Sequence, residues 1–266
     1  MNRSSPLNQT TLSDKAYWHG YIPFYERFFI NRNIETIAEF GVYKGKSIRW
    51  LLERFPGAKI YGADILPLQL EWPIDSRFQF TQLDQGVGEQ IHGFLSQCKF
   101  DLIIEDGSHQ PKHQISCLIE GLEALNPNGV YILEDIQTSL PSHPWWNKQF
   151  HWWKFRERAI LKTQQNIFSF GNALHALLAL DHYKRIGVEI NEEIARLISK
   201  NSLLDEMAIL RLARQINEIH LYRRTHLPDF CHNCGSSDFD FSDFKCHCGE
   251  EIFRDTDSMS FVVIKK

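Results

Sequence analysis

The run Ile103-Ile104-Glu105-Asp106-Gly107-Ser108-His109 and its counterpart Leu133-Glu134-Asp135 constrain the fold more than any other part of the chain. Each is a short apolar run ending abruptly in carboxylates, the pattern of a buried strand that reaches the open edge of a sheet. In open α/β sheets that edge is where ligands bind. Two such strands side by side would bring Asp106, Glu134 and Asp135 together with His109, one turn further on. Oxygen ligands of this kind suit a hard divalent cation, and a neutral imidazole beside them can take a proton. A lone acid at a strand end does no more than cap a helix; the set together carries the inference.

Around these two strands the chain alternates apolar runs with helical periodicity. Strands are expected at 34–40, 59–63, 77–81, 100–104 and 130–133, with helices at 47–55, over a short stretch ending at 95, and at 110–125. Five βα units in succession predict a parallel sheet with helices on both faces. Asn126-Pro127-Asn128-Gly129 reads as a turn. Beyond residue 170, helices are expected at 172–186 and 191–217, then two last strands at 219–222 and 260–264, paired as an antiparallel hairpin.

The first strand runs into Glu39-Phe40-Gly41-Val42-Tyr43-Lys44-Gly45-Lys46-Ser47. Glycines where a strand turns into a helix let the backbone pass close to a ligand. The second strand ends in Asp64, where a carboxylate beside such a turn can accept hydrogen bonds from ribose hydroxyls. The glycine spacing departs from G-x-G-x-x-G, which weakens a dinucleotide reading and favours a smaller nucleoside cofactor. Asp84 and Gln85 follow the third strand, either as neighbours of an adenine edge or as turn formers.

The remaining stretches carry packing and binding alternatives. Residues 17–30 place Trp18, Tyr21, Phe24, Tyr25 and Phe28 at helical spacing, interrupted by Pro23. Such a stripe packs into a core or closes over a ligand, and its aromatics, if exposed, would suit self-association into a homo-oligomer. Residues 137–153 hold Trp145, Trp146, Trp152 and Trp153, and an irregular stretch after an active-site strand reads as a lid or substrate loop. Lys148, Lys154, Arg156, Arg158 and Lys162 form a basic run, either a solvated helix face or a seat for an anionic group. The net charge of −4 gives no general attraction for nucleic acid or an anionic membrane. No run approaches the roughly 18 apolar residues of a spanning helix, the first twelve residues lack a signal peptide's apolar core, and a cytoplasmic protein is the expectation.

Two cysteine pairs stand apart from this frame: Cys231-His232-Asn233-Cys234-Gly235 and Cys246-His247-Cys248-Gly249. Each pair is followed by glycine, as in the two knuckles of a zinc ribbon, and four thiolates make a closed tetrahedral structural site. C-x-x-C is the usual spacing and C-x-C the less common one. A disulfide or reduced thiols are the alternatives, and His232 and His247 could substitute as ligands.

Taken together, Glu39-Phe40-Gly41-Val42-Tyr43-Lys44-Gly45, Tyr61-Gly62-Ala63-Asp64, Asp106-Gly107-Ser108-His109 and Leu133-Glu134-Asp135-Ile136-Gln137-Thr138-Ser139 resemble the class I S-adenosylmethionine-dependent methyltransferases. More narrowly they resemble the metal-dependent sugar O-methyltransferases of the macrocin and mycinamicin type, over 34–139 and, loosely, the last hairpin. The resemblance implies a Rossmann-like, mostly parallel seven-stranded sheet with an antiparallel last strand. It implies cofactor-binding positions at Glu39, Gly41, Tyr43, Gly45, Ser47, Asp64, Ile65, Asp84, Gln85 and Asp106. Mg²⁺ would be held by Asp106, Glu134 and Asp135, with His109 as general base. The expected organisation is an N-terminal aromatic segment at 1–33 and a methyltransferase domain at 34–226 and 257–266. Within it lie a lid at 136–170 and a cysteine-rich insert at 227–256 that holds Zn²⁺ through Cys231, Cys234, Cys246 and Cys248. The expected acceptor is a sugar hydroxyl; a catechol-like metabolite and an inactive zinc-binding interaction protein are the competing readings. The Trp-rich stretch and the cysteine insert both depart from the family pattern.

Overall fold

The computed structural model describes residues 13–140, 173–200, 202–252 and 258–266. Seven strands form one sheet: β1 (Thr36–Phe40), β2 (Lys59–Asp64), β3 (Phe78–Gln82), β4 (Phe100–Glu105), β5 (Leu125–Leu133), β6 (Ile216–Arg223) and β9 (Met259–Lys265). Their spatial order is β3-β2-β1-β4-β5-β9-β6. The pairs among β1 to β5 are parallel, while β9 runs antiparallel to both β5 and β6. This is the Rossmann-like arrangement expected, with its antiparallel last strand in place.

The central strands form because they are apolar on both faces, as strands sandwiched between helical layers must be. Successive residues alternate sides: Ile103, Tyr131 and Leu133 join one buried cluster, and Leu102, Ile104 and Ile132 the other. Helices α4 (Gly88–Leu95), α5 (Pro111–Ala124) and α6 (Ala173–Arg185) cover the first face. Helices α2 (Tyr21–Phe29) and α3 (Lys46–Arg54) cover the second.

Three boundaries differ from the sequence expectation. The helix expected over 17–30 is two helices, α1 (Asp14–Tyr17) and α2, broken where Gly20 takes a left-handed φ of 68°. Because α2 begins at Tyr21, Pro23 sits in its first turn, where a missing N–H costs little. The helix expected over 191–217 is also two, α7 (Glu192–Ser199) and α8 (Glu206–Gln215). Each has its own cap: Asn191 accepts from the Ile194 N–H at 3.0 Å and Asp205 from the Ala208 N–H at 2.7 Å. Strand β6 then starts at Ile216. Lastly, residues 126–129 lie within β5 as an irregularity, between the Phe100–Leu125 and Leu102–Val130 pairs. The Trp-rich stretch and its basic run fall almost entirely outside the described residues.

The cysteine insert carries a two-stranded hairpin, β7 (Phe239–Asp240) and β8 (Lys245–Cys246). Its apolar centre is only Cys231, Cys246 and Ile252, with Leu227 and Phe239 against them.

Candidate functional site

The strand order reverses between β1 and β4, and the crevice at that point holds the site. Gly41 shows how closely the two strand ends approach. At φ 89°, a Cβ there would lie 2.0 Å from the Asp106 carbonyl oxygen, so no other residue fits. A cavity of about 470 Å³ opens above, lined on the β1–β3 side by Gly41, Tyr43, Asp64, Ile65, Asp84 and Gln85. Its other wall holds Asp106, His109, Glu134 and Asp135.

Within this cavity several residues have structural partners as well. Asp64 Oδ2 accepts the Val42 and Tyr43 N–H groups, both at 2.8 Å, and Oδ1 accepts from Leu66 at 2.9 Å, so this carboxylate shapes the glycine turn. Gln85 turns inward: its Nε2 donates to Glu105 at 2.8 Å and its Oε1 accepts from the Ser108 N–H at 2.7 Å. Asp84 caps its own turn by accepting from Gly86 at 2.7 Å. Of the positions expected along the cofactor, Glu39, Gly45 and Ser47 do not line this cavity. Glu39 is wholly buried beneath the turn and accepts the Ser47 hydroxyl at 2.9 Å, and Gly45 faces Trp72.

The acidic wall holds a residue that no local sequence pattern places there. The Lys15 ammonium, from the four-residue helix α1, donates to Asp106 Oδ2 and to Glu134 Oε2 (2.8 Å) and lies 3.6 Å from Glu39 Oε1. His19 and Tyr21 arrive from the same segment: the Tyr21 hydroxyl donates to Asp135 Oδ1 at 2.8 Å, and His19 Nδ1 lies 3.8 Å from the same oxygen. The aromatic spacing of 17–30 hinted that this segment could close over a ligand, but nothing local marks Lys15.

His109 and Asp135 face each other, Nε2 to Oδ2, at 3.6 Å. Both, like Tyr43, are non-glycine residues held at positive φ (54°, 50° and 47°), strain that clusters at functional sites. The Thr138 hydroxyl donates to the carbonyl oxygens of both His109 (3.0 Å) and Asp135 (2.9 Å), which locks the two turns together.

Electrostatics separates the acids. Burial drives the Glu134 carboxyl well above the usual range, an effect that Lys15 only partly offsets. Burial likewise raises Glu39 to about 7 despite Lys15. Asp135 moves the other way: burial pushes it up, but His19, His109 and hydrogen bonds from Gln137 and Tyr21 outweigh that and hold it low. Burial lowers the His109 imidazole, while Asp135, Asp106 and Glu105 outweigh burial and keep it above its ordinary value.

The residues present fit a divalent cation. Asp106, His109 and Asp135 offer ligand atoms all within 4.8 Å of one another. Glu134 Oε1 and His109 Nδ1 are buried without a hydrogen-bond partner among the described residues. Glu134, expected as a ligand, gives its other oxygen to Lys15.

The four cysteines also converge, with sulfurs within 4.8 Å of one another. Cys231 and Cys248 Sγ lie 3.7 Å apart, Cys234 and Cys246 Sγ 3.4 Å, near the roughly 3.8 Å edge of a ZnS₄ tetrahedron. All four are free thiols. The two turns are alike. Gly235 N–H bonds the Cys231 carbonyl and Gly249 N–H the Cys246 carbonyl, both at 2.8 Å, with both glycines at positive φ. The Glu250 N–H and neighbouring thiols bring Cys248 down to about 6, towards thiolate.

No family model matches the chain. Among curated proteins it is 30% identical, over 141 residues, to 8-demethyl-8-(2-methoxy-alpha-L-rhamnosyl)-tetracenomycin-C 3'-O-methyltransferase of Streptomyces olivaceus, a match covering 48% of this chain and 35% of the relative. It is 31% identical over 135 residues to mycinamicin VI 2''-O-methyltransferase of Micromonospora griseorubida, covering 47% and 33%. The match thus spans about a third of the length of these relatives. Among solved structures, MycE methyltransferase from the mycinamycin biosynthetic pathway, in complex with Mg and SAH, superimposes with a TM-score of 0.58 at 19% identity, covering 98% of this chain and 54% of that one. Its complex with Mg, SAH and mycinamycin VI gives 0.54 at 22% identity, covering 83% and 52%. The chain has the class I methyltransferase fold and resembles the macrocin- and mycinamicin-type sugar O-methyltransferases. No helix among the described residues is long and apolar enough to cross a membrane.

Proposed function

We propose that this chain carries S-adenosylmethionine- and Mg²⁺-dependent O-methyl transfer to one of two vicinal hydroxyls on a sugar or glycosylated small molecule. One observation carries the reading: the Asp106–His109–Asp135 cluster forms a wall of the same cavity as Gly41, Asp64 and Asp84. Donor and acceptor halves therefore share one space. The relatives named for sugar 2''- and 3'-O-methylation support a sugar acceptor.

Glu39, Gly41, Tyr43, Gly45, Ser47, Asp64, Ile65, Asp84, Gln85 and Asp106 are assigned to the cofactor side, Glu39 and Ser47 by holding the turn from beneath. Asp106 and Asp135 hold the cation, with Glu134 reserved behind them. Bound Mg²⁺ supplies a Lewis acid that lowers the pKa of an acceptor hydroxyl. His109 takes the proton at Nε2, kept in place by Asp135 and the Thr138 clamp; positioned bases of this kind contribute roughly 10²–10⁴-fold. The buried, carboxylate-rich wall orients two neighbouring hydroxyls and limits water at the reacting oxygen. Residues 136–170 are assigned as the acceptor lid and 227–256 as a structural Zn²⁺ module with Cys231, Cys234, Cys246 and Cys248 as ligands.

The test is calorimetric titration with S-adenosylhomocysteine and Mg²⁺, followed by methyl transfer to a panel of glycosides and catechols. Turnover of glycosides that stops on chelation of divalent metal is the expected result. Catechol turnover alone would move the acceptor class, and metal-independent turnover would overturn the cation role. One observation favours an inactive, zinc-binding reading instead: an ammonium already sits among the acids expected to hold the metal. Absence of any thermal shift with S-adenosylhomocysteine would support that alternative.

A further inference from the structure

We propose that the four-cysteine module anchors helix α1, so that zinc occupancy fixes Lys15 at the acidic wall of the methyl-transfer site. This rests on the structural Zn²⁺ assigned above and extends it to the cavity.

Helix α1 cannot hold itself. It has four residues, far below the roughly 12 at which an isolated helix becomes even marginal in water. Its position is set by what it touches, and much of that belongs to the cysteine module. The His232 ring, inside the first knuckle, packs against Trp18 with centroids 5.3 Å apart. The Asp229 N–H, two residues before Cys231, donates to the Tyr17 carbonyl at 3.3 Å. His232 and Asn233 also form a wall of a second cavity, about 310 Å³, whose other walls include Lys15, Gly41, Ser47 and Asp106. The knuckle is thus a direct neighbour of the catalytic crevice.

The module is equally unable to hold its own shape without metal. Three buried residues and two partly buried ones are too small a core, and the thiols are not paired as disulfides. In such a unit, metal-binding energy is folding energy. Loss of zinc would release His232 and Asp229 from α1. Arg224, at the end of β6, also contacts Trp18 through its carbonyl oxygen (2.6 Å) and its ring, so α1 would loosen rather than leave. Lys15 would then no longer be held against Asp106, Glu134 and Glu39. In this role Lys15 is a positioning residue: it keeps three carboxylates together, the buried Glu39 and Glu134 and the half-buried Asp106.

The experiment uses the full chain. Elemental analysis of the purified protein should give one Zn²⁺ per chain. Cys234→Ser/Cys248→Ser should lose it, show faster hydrogen exchange across 13–19, and bind S-adenosylhomocysteine at least fivefold more weakly. His232→Ala keeps all four thiols, so it guards against misfolding: zinc content stays at one while exchange across 13–19 still rises. Lys15→Met should weaken S-adenosylhomocysteine binding to the same degree, Lys15→Arg should restore most of it, and combining Lys15→Met with the cysteine pair should add nothing. A zinc-loaded wild type whose exchange and affinity survive both the cysteine and the His232 changes overturns the coupling and leaves the zinc assignment standing. A wild type that neither contains nor takes up zinc overturns both. Failure to bind S-adenosylhomocysteine in wild type, with the exchange changes still present, overturns the methyltransferase reading and leaves the anchor.

Discussion

Lys15 and Glu134, 119 positions apart in the chain, share a 2.8 Å hydrogen bond in the interior. Burying charges is costly, and stranding one partner costs more still. Lys15→Met should therefore destabilise the protein by roughly 3–5 kcal/mol at pH 8. The sign of its pH dependence follows from the acids. Burial already raises Glu39 to about 7 and Glu134 above its usual range, and losing the ammonium raises both further. Acids whose folded pKa exceeds the unfolded one stabilise the fold as they take up protons, so the variant should recover stability as pH falls from 8 towards 5. Urea denaturation at both pH values checks this; a deficit that stays constant with pH would refute it.

His109 and Asp135 should separate in their effects. His109→Gln should lower turnover by roughly 10²–10⁴-fold and leave S-adenosylhomocysteine affinity within about threefold, because its proposed work is on the acceptor proton. Asp135→Asn should abolish measurable Mg²⁺ binding, since it removes the one acid of the cluster that its surroundings keep firmly ionised. Mg²⁺ calorimetry on both variants, beside steady-state kinetics, makes the comparison. Equal loss of turnover and cofactor affinity in His109→Gln would mark it as a packing residue.

Gly41→Ala should abolish cofactor binding and destabilise the fold, because its Cβ would meet the Asp106 carbonyl at 2.0 Å in a left-handed backbone. Gly88 is the natural control: it opens α4 and has nothing within 4 Å of an added Cβ. Gly88→Ala should be neutral or stabilise by up to about 1 kcal/mol. Thermal denaturation of the pair, with and without S-adenosylhomocysteine, tests whether the close approach of β1 and β4 is what the site depends on.

The same contrast separates what local sequence encodes from what only the fold brings together. Strands β1, β4 and β5 were legible because burial on both faces leaves continuous apolar runs, and their acids were legible because such runs end in them. Asp106, His109 and Asp135 converge for that reason alone. Lys15 was not legible, because its partners lie 91 and 119 positions away and no local pattern requires them. Gln85 lines the crevice, yet its inward turn towards Glu105 depends on a neighbouring strand and has no local signal. Residues 17–30 and 191–217 kept helical periodicity through breaks that Gly20 and Asp205 impose, since apolar spacing outlives a change of axis.

Asp101 supplies a test away from the chemistry. It lies in β4 near the end opposite the cavity, where Oδ2 accepts from the Glu35 and Thr36 N–H groups (2.9 and 3.0 Å) and the Thr36 hydroxyl (3.0 Å). Its Oδ1 accepts from Asn126 at 2.7 Å, so one carboxylate ties the start of β1 to the irregular part of β5. Burial raises its pKa, but these hydrogen bonds outweigh that and hold it below the usual value. A carboxylate whose folded pKa is depressed stabilises the fold above its unfolded pKa of about 3.9, and that stability is lost as pH falls through the folded value. Asp101→Asn should therefore cost about 1–3 kcal/mol at pH 7, and the gap to wild type should close by pH 2–3. Cofactor affinity at pH 7 should be unchanged, because the residue does not line the cavity. Denaturation at pH 7 and 3 beside one calorimetric titration decides it; a gap that persists at pH 3 would mean that packing, not charge, is what Asp101 provides.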